Sequence, residues 1–337
     1  MRYTAEKKRT IILYILDKIS CGTKGVSSVV SNAFGISANT VHTYLNDLID
    51  NGIIKKVKRG QYELVTKRDK YSFSRSRGEL ETDTHPYELC LAKQISHLSE
   101  NVRQIWAYAM SEMVNNVIDH SAADHMEIVV EQSYLQTSVW IIDAGVGIFE
   151  KIKKHFSLLS LDEAICELFK GKLTTDEVNH SGEGIFFTSR MMDSFLISSS
   201  GKTFATSKYN NDNIMDMDGT ASGTCVFMSL SNFTNRSARE VFDLYSDVDG
   251  SFTTTRIPLK NIFDFAPVSR SQAKRLCNRL EKFEEVILDF EDVSWMGQGF
   301  AHQLFVVFKN AHPGISIRAL NMNESVENMY HHVLKTI

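Results

Sequence analysis

Cysteine is scarce, and the five present, Cys21, Cys90, Cys166, Cys225 and Cys277, are scattered without Cys-x-x-Cys pairs or nearby histidine partners. That spacing indicates neither a zinc site nor a disulfide framework, so buried free thiols are expected. Long apolar runs are also missing. Nothing approaches the roughly 20 residues that span a bilayer, and the start Met-Arg-Tyr-Thr-Ala-Glu-Lys-Lys-Arg is too charged for a secretory signal. The expected location is cytoplasmic, with no membrane partner. His302, His312, His331 and His332 show no ligand spacing and are expected at the surface. A disordered class does not fit either: 337 residues with 43% hydrophobic and 23% charged content are enough for two or three domains with cores of their own.

The net charge of −4 conceals an asymmetry. Residues 1–77 hold 15 Lys and Arg against 6 Asp and Glu, whereas residues 78–337 hold 22 against 35. A basic head on an acidic body points the head toward a polyanion.

The head reads as three helices and a hairpin. Residues 4–19 place Ile11, Ile12, Ile15, Leu16 and Ile19 on one side of a helix. Residues 26–34 form a second helix, Gly35 a turn, and Ser37 caps a third helix over 38–51 with Val41, Leu45, Leu48 and Ile49 inward. Residues 53–65 alternate and turn at Arg59-Gly60, a β-hairpin with a basic tip. This order resembles a winged helix-turn-helix of bacterial transcription regulators. The resemblance implies that the third helix offers Ser37, Asn39, Thr40, His42 and Thr43 to the major groove, while Lys55, Lys56, Lys58 and Arg59 on the wing contact phosphates. Docking to protein is the other use of such a fold. Residues 67–78, polar and basic, read as part of a linker.

In the middle of the chain, Glu112, Asn116 and His120 recur every four residues within an amphipathic helix over 106–120, where Ala107, Met110, Met113, Val114 and Val117 make the apolar stripe. A carboxylate, a carboxamide and an imidazole then line one groove. Val139-Trp-Ile-Ile-Asp143 is a strand that runs into Gly145 and Gly147, and Gly182 and Gly184 precede a helix over 185–192 whose free N–H groups suit phosphate. Gly219-Thr-Ala-Ser-Gly223-Thr224 opens another strand, over 224–230. Singly these pieces have ordinary readings, a solvated helix face or a turn; their order is what is specific.

Residues 86–233 resemble the GHKL ATPase family, which includes DNA gyrase, histidine kinases and the serine kinases that act as anti-sigma factors. The resemblance implies ATP and Mg²⁺ as cofactors. Asn116 would coordinate Mg²⁺, Asp143 would accept a hydrogen bond from the adenine amino group with Thr224 supporting it, and Glu112 would be the general base. Gly145, Gly147, Gly182 and Gly184 would let backbone approach the nucleotide. Residues 149–181 would be a mobile lid, with Lys170, Lys172, Thr174 and Thr175 as candidate phosphate contacts. The second glycine box, Gly182-Glu-Gly184-Ile-Phe, lacks the third glycine of many relatives, and His97 stands too near Glu112 to be a phosphoacceptor on a separate hairpin.

Beyond residue 238 helices alternate with strands: a helix over 271–282, a strand over 286–290, a helix over 299–310, a strand over 315–320 and a helix over 325–334. That alternation implies parallel pairing in an α/β layer. Residues 264–335 resemble STAS-like domains, the fold of anti-sigma factor antagonists, although Met296-Gly-Gln-Gly-Phe300 offers no hydroxyl where phosphorylatable members carry a serine.

The expected fold is multidomain α+β: a winged helix over 1–66, a basic linker over 67–84, a central GHKL α/β sandwich (Bergerat fold) over 85–236 and a STAS-like α/β domain over 237–337. The expected function is an ATP-binding and ATP-hydrolysing regulator in which closure of the core controls the DNA-binding head. Its partners would be double-stranded DNA, a protein docked on the STAS-like domain, and a second copy in a homodimer reading two half-sites. A serine/threonine kinase of the anti-sigma type and a non-hydrolysing, nucleotide-sensing scaffold are the alternatives.

Overall fold

The computed structural model describes residues 4–173, 182–207, 213–216, 222–260, 262 and 266–335. These fall into two compact units. The smaller comprises Met1–Lys70, Val129–Val139 and Leu230–Thr234, and the larger comprises Tyr71–Ile128, Trp140–Ser229 and Asn235–Ile337.

In the smaller unit, α1 (Ala5–Ser20) starts where the Thr4 hydroxyl accepts the Lys7 N–H at 3.2 Å, and buries Ile11, Ile15, Leu16 and Ile19. Next come α2 (Val26–Phe34) and α3 (Ala38–Asp50). The inward face of α3 carries Val41, Tyr44, Leu45 and Leu48; Tyr44 joins the expected set, and Ile49 is only partly buried. All of these join one apolar cluster with Val26, Val30, Ile36 and Ile54, so three short helices that could not stand alone share a core. Strands β1 (Ile54–Lys58) and β2 (Gln61–Leu64) pair antiparallel around Gly60, whose φ of +71° is a left-handed turn conformation that costs glycine nothing.

Residues 67–84 are not the expected linker. Lys67–Ser74 forms strand β3 with Asp69, Tyr71 and Phe73 turned to its more buried side, and Arg75–Arg77 follows as a 3₁₀ turn. The period-two pattern was present in the sequence but hidden by the density of charge around it.

The chain continues with α4 (Thr84–Tyr87), α5 (Glu100–Asn116), β4 (His125–Gln132), β5 (Gln136–Asp143), α6 (Ile148–His155), α7 (Leu161–Lys170), α8 (Gly184–Met191), β6 (Ser194–Ser199), β7 (Lys202–Ser207), β8 (Asn213–Asp216) and β9 (Thr224–Ser231). Among the described residues the strands order as β3-β4-β5-β9-β6-β7-β8, with β6 antiparallel to both β7 and β9. Helix α5 buries Val102, Ile105, Trp106, Ala109, Met110, Met113 and Val114 and packs against α8. It then widens to a π-helix over Val117–Ser121, a local underwinding often found beside functional residues.

The C-terminal part adds α9 (Ala238–Tyr245), closed by a Ser237/Glu240 capping box, then β10 (Thr254–Pro258), α10 (Arg270–Cys277) and β11 (Glu285–Asp289). A helical run follows through α11 (Gln298–His302), a π-helical Gln303–Phe308 and α12 (Lys309–Ala311), and then β12 (Ser316–Leu320) and α13 (Glu324–Leu334). Strands β10, β11 and β12 pair in parallel in that order, as the helix–strand alternation predicts. Where a serine was sought, the Gly297 and Phe300 N–H groups donate to the carbonyls of Pro267 (2.9 Å) and Val268 (3.2 Å), and a Cβ on Gly297 would overlap the Val268 carbonyl. That helix start is closed by the chain itself.

No helix among the described residues is long and apolar enough to cross a membrane.

Candidate functional site

Helix α5, the β5–α6 turn, the start of α8 and the start of β9 meet around a pocket of about 360 Å³. Its lining includes Glu112, Asn116, His120, Asp143, Gly182, Gly184 and Thr224, so seven residues singled out in four separate stretches of sequence converge on one cavity of a size typical for small-molecule sites. The widened turn after Asn116 does not remove His120 from that wall. Apolar cover comes from Val117, Ile148, Ile152, Leu168, Ile185, Ile197 and Val226.

Asp143 is 6% exposed. Burial pushes its carboxyl above the ordinary value, and hydrogen bonds from the Gly145 and Thr224 backbone N–H groups pull partly the other way; the Gly145 bond is 2.8 Å. The Thr224 hydroxyl accepts the Ile148 N–H at 3.1 Å, which ties the start of α6 to the start of β9. A desolvated carboxylate of this kind gains from a ligand N–H donor. Burial, with the charges of Glu112 and Glu183, raises the Tyr108 hydroxyl, so the group behind Glu112 stays neutral.

The glycines have a structural reason that the sequence reading did not give them. A Cβ at Gly145 would overlap the Ser121 carbonyl, one at Gly147 the Ser199 hydroxyl, one at Gly182 the Leu173 backbone, one at Gly184 the Glu112 carboxylate and one at Gly223 the Asp143 carbonyl. Gly223 also has φ +98°. These residues let the pocket walls approach one another, rather than only letting a ligand approach a wall. Val146 N–H donates to Ser121 O at 2.7 Å and the Ser199 hydroxyl donates to Gly223 O at 2.8 Å, fixing the loop edges.

Asn116 and Glu112 offer hard oxygens. Among the described residues no group of three His, Cys, Asp or Glu side chains converges as a metal cluster, so a Mg²⁺ held here would take few protein ligands and draw the rest from water and a ligand phosphate.

Of the stretch expected as a lid, residues 149–181, much is α6 and α7, with α7 packed on β10, and residues 174–181 lie outside the described residues. Lys170 is 1% exposed and donates to Glu167 Oε1 (2.6 Å), Asn278 O (2.7 Å) and Arg275 O (3.3 Å), while Thr255 Oγ1 donates to its carbonyl at 2.7 Å. Lys172 lies over the rings of Phe252 and Phe283 and donates to Lys282 O at 2.9 Å. Both ammonium groups are held by carbonyls of the C-terminal part and neither lines the pocket. Thr174 and Thr175 lie outside the described residues, as do Ser181 and residues 217–221. His97 is an exposed turn residue.

Residues missed by the sequence reading include Lys151, Ser121 and Ser199. Lys151 stands one helical turn after Gly147 in the pocket wall and donates to His120 O at 3.0 Å. A larger cavity, about 610 Å³, lies between α7 and α10, but its charges are matched internally: Glu163 pairs with Arg275 at 3.1 Å, Asp162 with Lys202 at 3.0 Å, and Glu167 with Lys170. Burial pushes the Cys166 thiol in its wall up to about 11, which leaves it a thiol at neutral pH.

On the smaller unit, the exposed face of α3 presents Asn39, His42 and Thr43. Ser37 and Thr40 are engaged in the helix cap: Ser37 Oγ accepts the Thr40 N–H at 3.2 Å and lies 2.9 Å from the Thr40 hydroxyl. His42 Nε2 is 3.4 Å from the Ser27 hydroxyl, and Thr43 Oγ1 donates to Asn39 O at 3.1 Å. Lys56, Lys58 and Arg59 are exposed along the wing, and Lys55 pairs with Glu63 across the hairpin at 3.0 Å.

Two family models match the chain. The winged helix-turn-helix model covers residues 7–71, and the model for a STAS-like domain of unknown function (DUF4325) covers residues 272–327. The first suggests a DNA-binding regulator, and the second agrees with the parallel C-terminal layer. Neither reaches the residues around the 360 Å³ pocket. No curated protein matches the chain.

Proposed function

We propose that this protein is a nucleotide-gated regulator, in which a Mg-ATP site in the larger unit governs DNA binding by the winged helix. The observation that carries the reading is the convergence on one pocket of Glu112, Asn116, Asp143, Gly182, Gly184 and Thr224, the residues to which the GHKL resemblance would give these roles. The residues suit such a ligand. Asp143, buried and short of solvent, would accept from an adenine amino group, and the start of α8, which borders the same cavity, would offer backbone N–H groups and a positive dipole end. Asn116 would hold Mg²⁺, which would supply neutralisation of phosphate charge. Glu112, packed against Gly184 at the start of α8, would orient and deprotonate a water.

On this reading ATP acts by favouring one arrangement of the chain over another, and the head's affinity for DNA changes with it. The head would use Asn39, His42 and Thr43 toward base edges and Lys56, Lys58 and Arg59 toward phosphates. A homodimer would let two heads read paired half-sites.

The test is release of ADP and phosphate from Mg-ATP by the full chain, beside Glu112→Ala and Asp143→Asn, with and without double-stranded DNA. Turnover abolished by Glu112→Ala with ATP binding retained, and altered by DNA, is the expected result. Turnover that survives both substitutions contradicts it, and labelled phosphate on a protein would replace hydrolysis with kinase activity.

A further inference from the structure

A polyphosphate needs cationic partners, and the sequence nominated Lys170 and Lys172 for that task. Both ammonium groups are instead held by Asn278 O and Lys282 O, although Leu168, Gly171 and Leu173 of the same stretch do line the pocket. Among the described residues, the lining holds the carboxylates of Glu112 and Asp143 and a single Lys or Arg, Lys151. Lys151 lies in the first turn of α6, directly after the Gly145–Gly147 loop, and its Nζ is 3.0 Å from the carbonyl of His120. His120 continues the helix that carries Glu112 and Asn116. The ammonium is therefore placed on the side of the pocket occupied by the general-base and Mg²⁺ candidates. The His120 carbonyl holds that ammonium at the pocket wall, where its N–H groups can donate to a phosphate oxygen.

We infer that Lys151 is the phosphate-side cation of this pocket, so that the site discriminates ligands by their phosphate count. The inference rests on the nucleotide reading above. The competing structural role is that Lys151 only closes the end of the helix at His120; that role predicts lower stability on substitution and no dependence on phosphate number.

Titration calorimetry of the full chain with Mg²⁺ and, in turn, ATP, ADP, adenosine and inorganic tripolyphosphate separates the two. Wild type should bind ATP more tightly than ADP and ADP more tightly than adenosine. Lys151→Met and Lys151→Gln should weaken ATP and tripolyphosphate about tenfold or more while leaving adenosine within about twofold, as expected for loss of a charge-assisted contact. Lys151→Arg should recover most of the loss, and Lys172→Met should leave the ratio of ATP to adenosine affinity unchanged. An unchanged ratio in both Lys151→Met and Lys151→Gln, or an equal loss for all ligands together with a lower melting temperature, overturns the inference. Tripolyphosphate binding that depends on Lys151 without any adenosine binding would sink the adenine reading and keep Lys151, whereas no binding of any of the four sinks both.

Discussion

Lys56 and Lys58 on the wing and Lys170 and Lys172 beside the pocket look alike in sequence: lysines spaced by one residue with a glycine within two positions, each nominated to meet phosphate. The first pair lies exposed on a short hairpin. Lys170 is buried with Glu167 and two backbone carbonyls, and Lys172 is laid across aromatic rings. The difference is one of available acceptors. A two-stranded wing has no interior to draw a lysine in, whereas the end of α10 presents carbonyls that a helix leaves unsatisfied. A lysine's charge is written in the sequence; whether that charge is offered to a partner is decided by what packs against it.

The largest effect should come from breaking the buried pair. Lys170→Met removes the closer of the two cations on buried Glu167, leaving Arg279 at 3.5 Å, and should cost about 2–4 kcal/mol in urea unfolding, while the double change with Glu167→Leu should recover part of that loss. Gly223→Ala should follow, at about 2–4 kcal/mol, because the added methyl meets the Asp143 carbonyl at a backbone φ of +98°. Thermal melting checks it, and a variant as stable as wild type would show that the loop edge yields freely.

Asp143→Asn should separate function from stability. Nucleotide binding should weaken by about 1.5–3 kcal/mol with no loss of melting temperature at neutral pH. Burial raises the folded-state value of Asp143 above the unfolded one, so the fold takes up a proton first as pH falls. The burial cost is therefore present at neutral pH and disappears as pH drops through that raised value, and any stability advantage of Asp143→Asn should shrink over the same window. Nucleotide affinity of wild type should decline there too, above the pH range of an ordinary carboxylate. The smallest effect on stability belongs to the wing: Lys56→Gln, Lys58→Gln and Arg59→Gln should each change it by less than about 0.5 kcal/mol. Together they should lower the slope of DNA affinity against salt by up to about 3.

The helices of the head and the parallel strands of the tail were legible because their apolar residues keep a clean period: Ile11, Ile15 and Ile19 in α1, Val41, Leu45 and Leu48 in α3, Val286 and Leu288 in β11. Strand β3 was not, because Tyr71 and Phe73 alternate inside a run of charge that reads as solvated coil. That Glu112, Asn116, Asp143, Gly182, Gly184 and Thr224 belong together was legible from their order and spacing, and they meet at one pocket. What the glycines do was only half legible. Gly184 against Glu112 and Gly145 against Ser121 are contacts between distant segments, and no local pattern encodes them. The fates of Lys151 and Lys170 were likewise set by carbonyls far along the chain.

The most direct test of the pocket is competitive binding of Mg-ATP against the purine riboside triphosphate that lacks only the 6-amino group, in wild type and Asp143→Asn. The account predicts that wild type prefers ATP by about tenfold or more, and that most of this preference is lost in Asp143→Asn. Equal binding of the two ligands by wild type, or a preference untouched by the substitution, would contradict it.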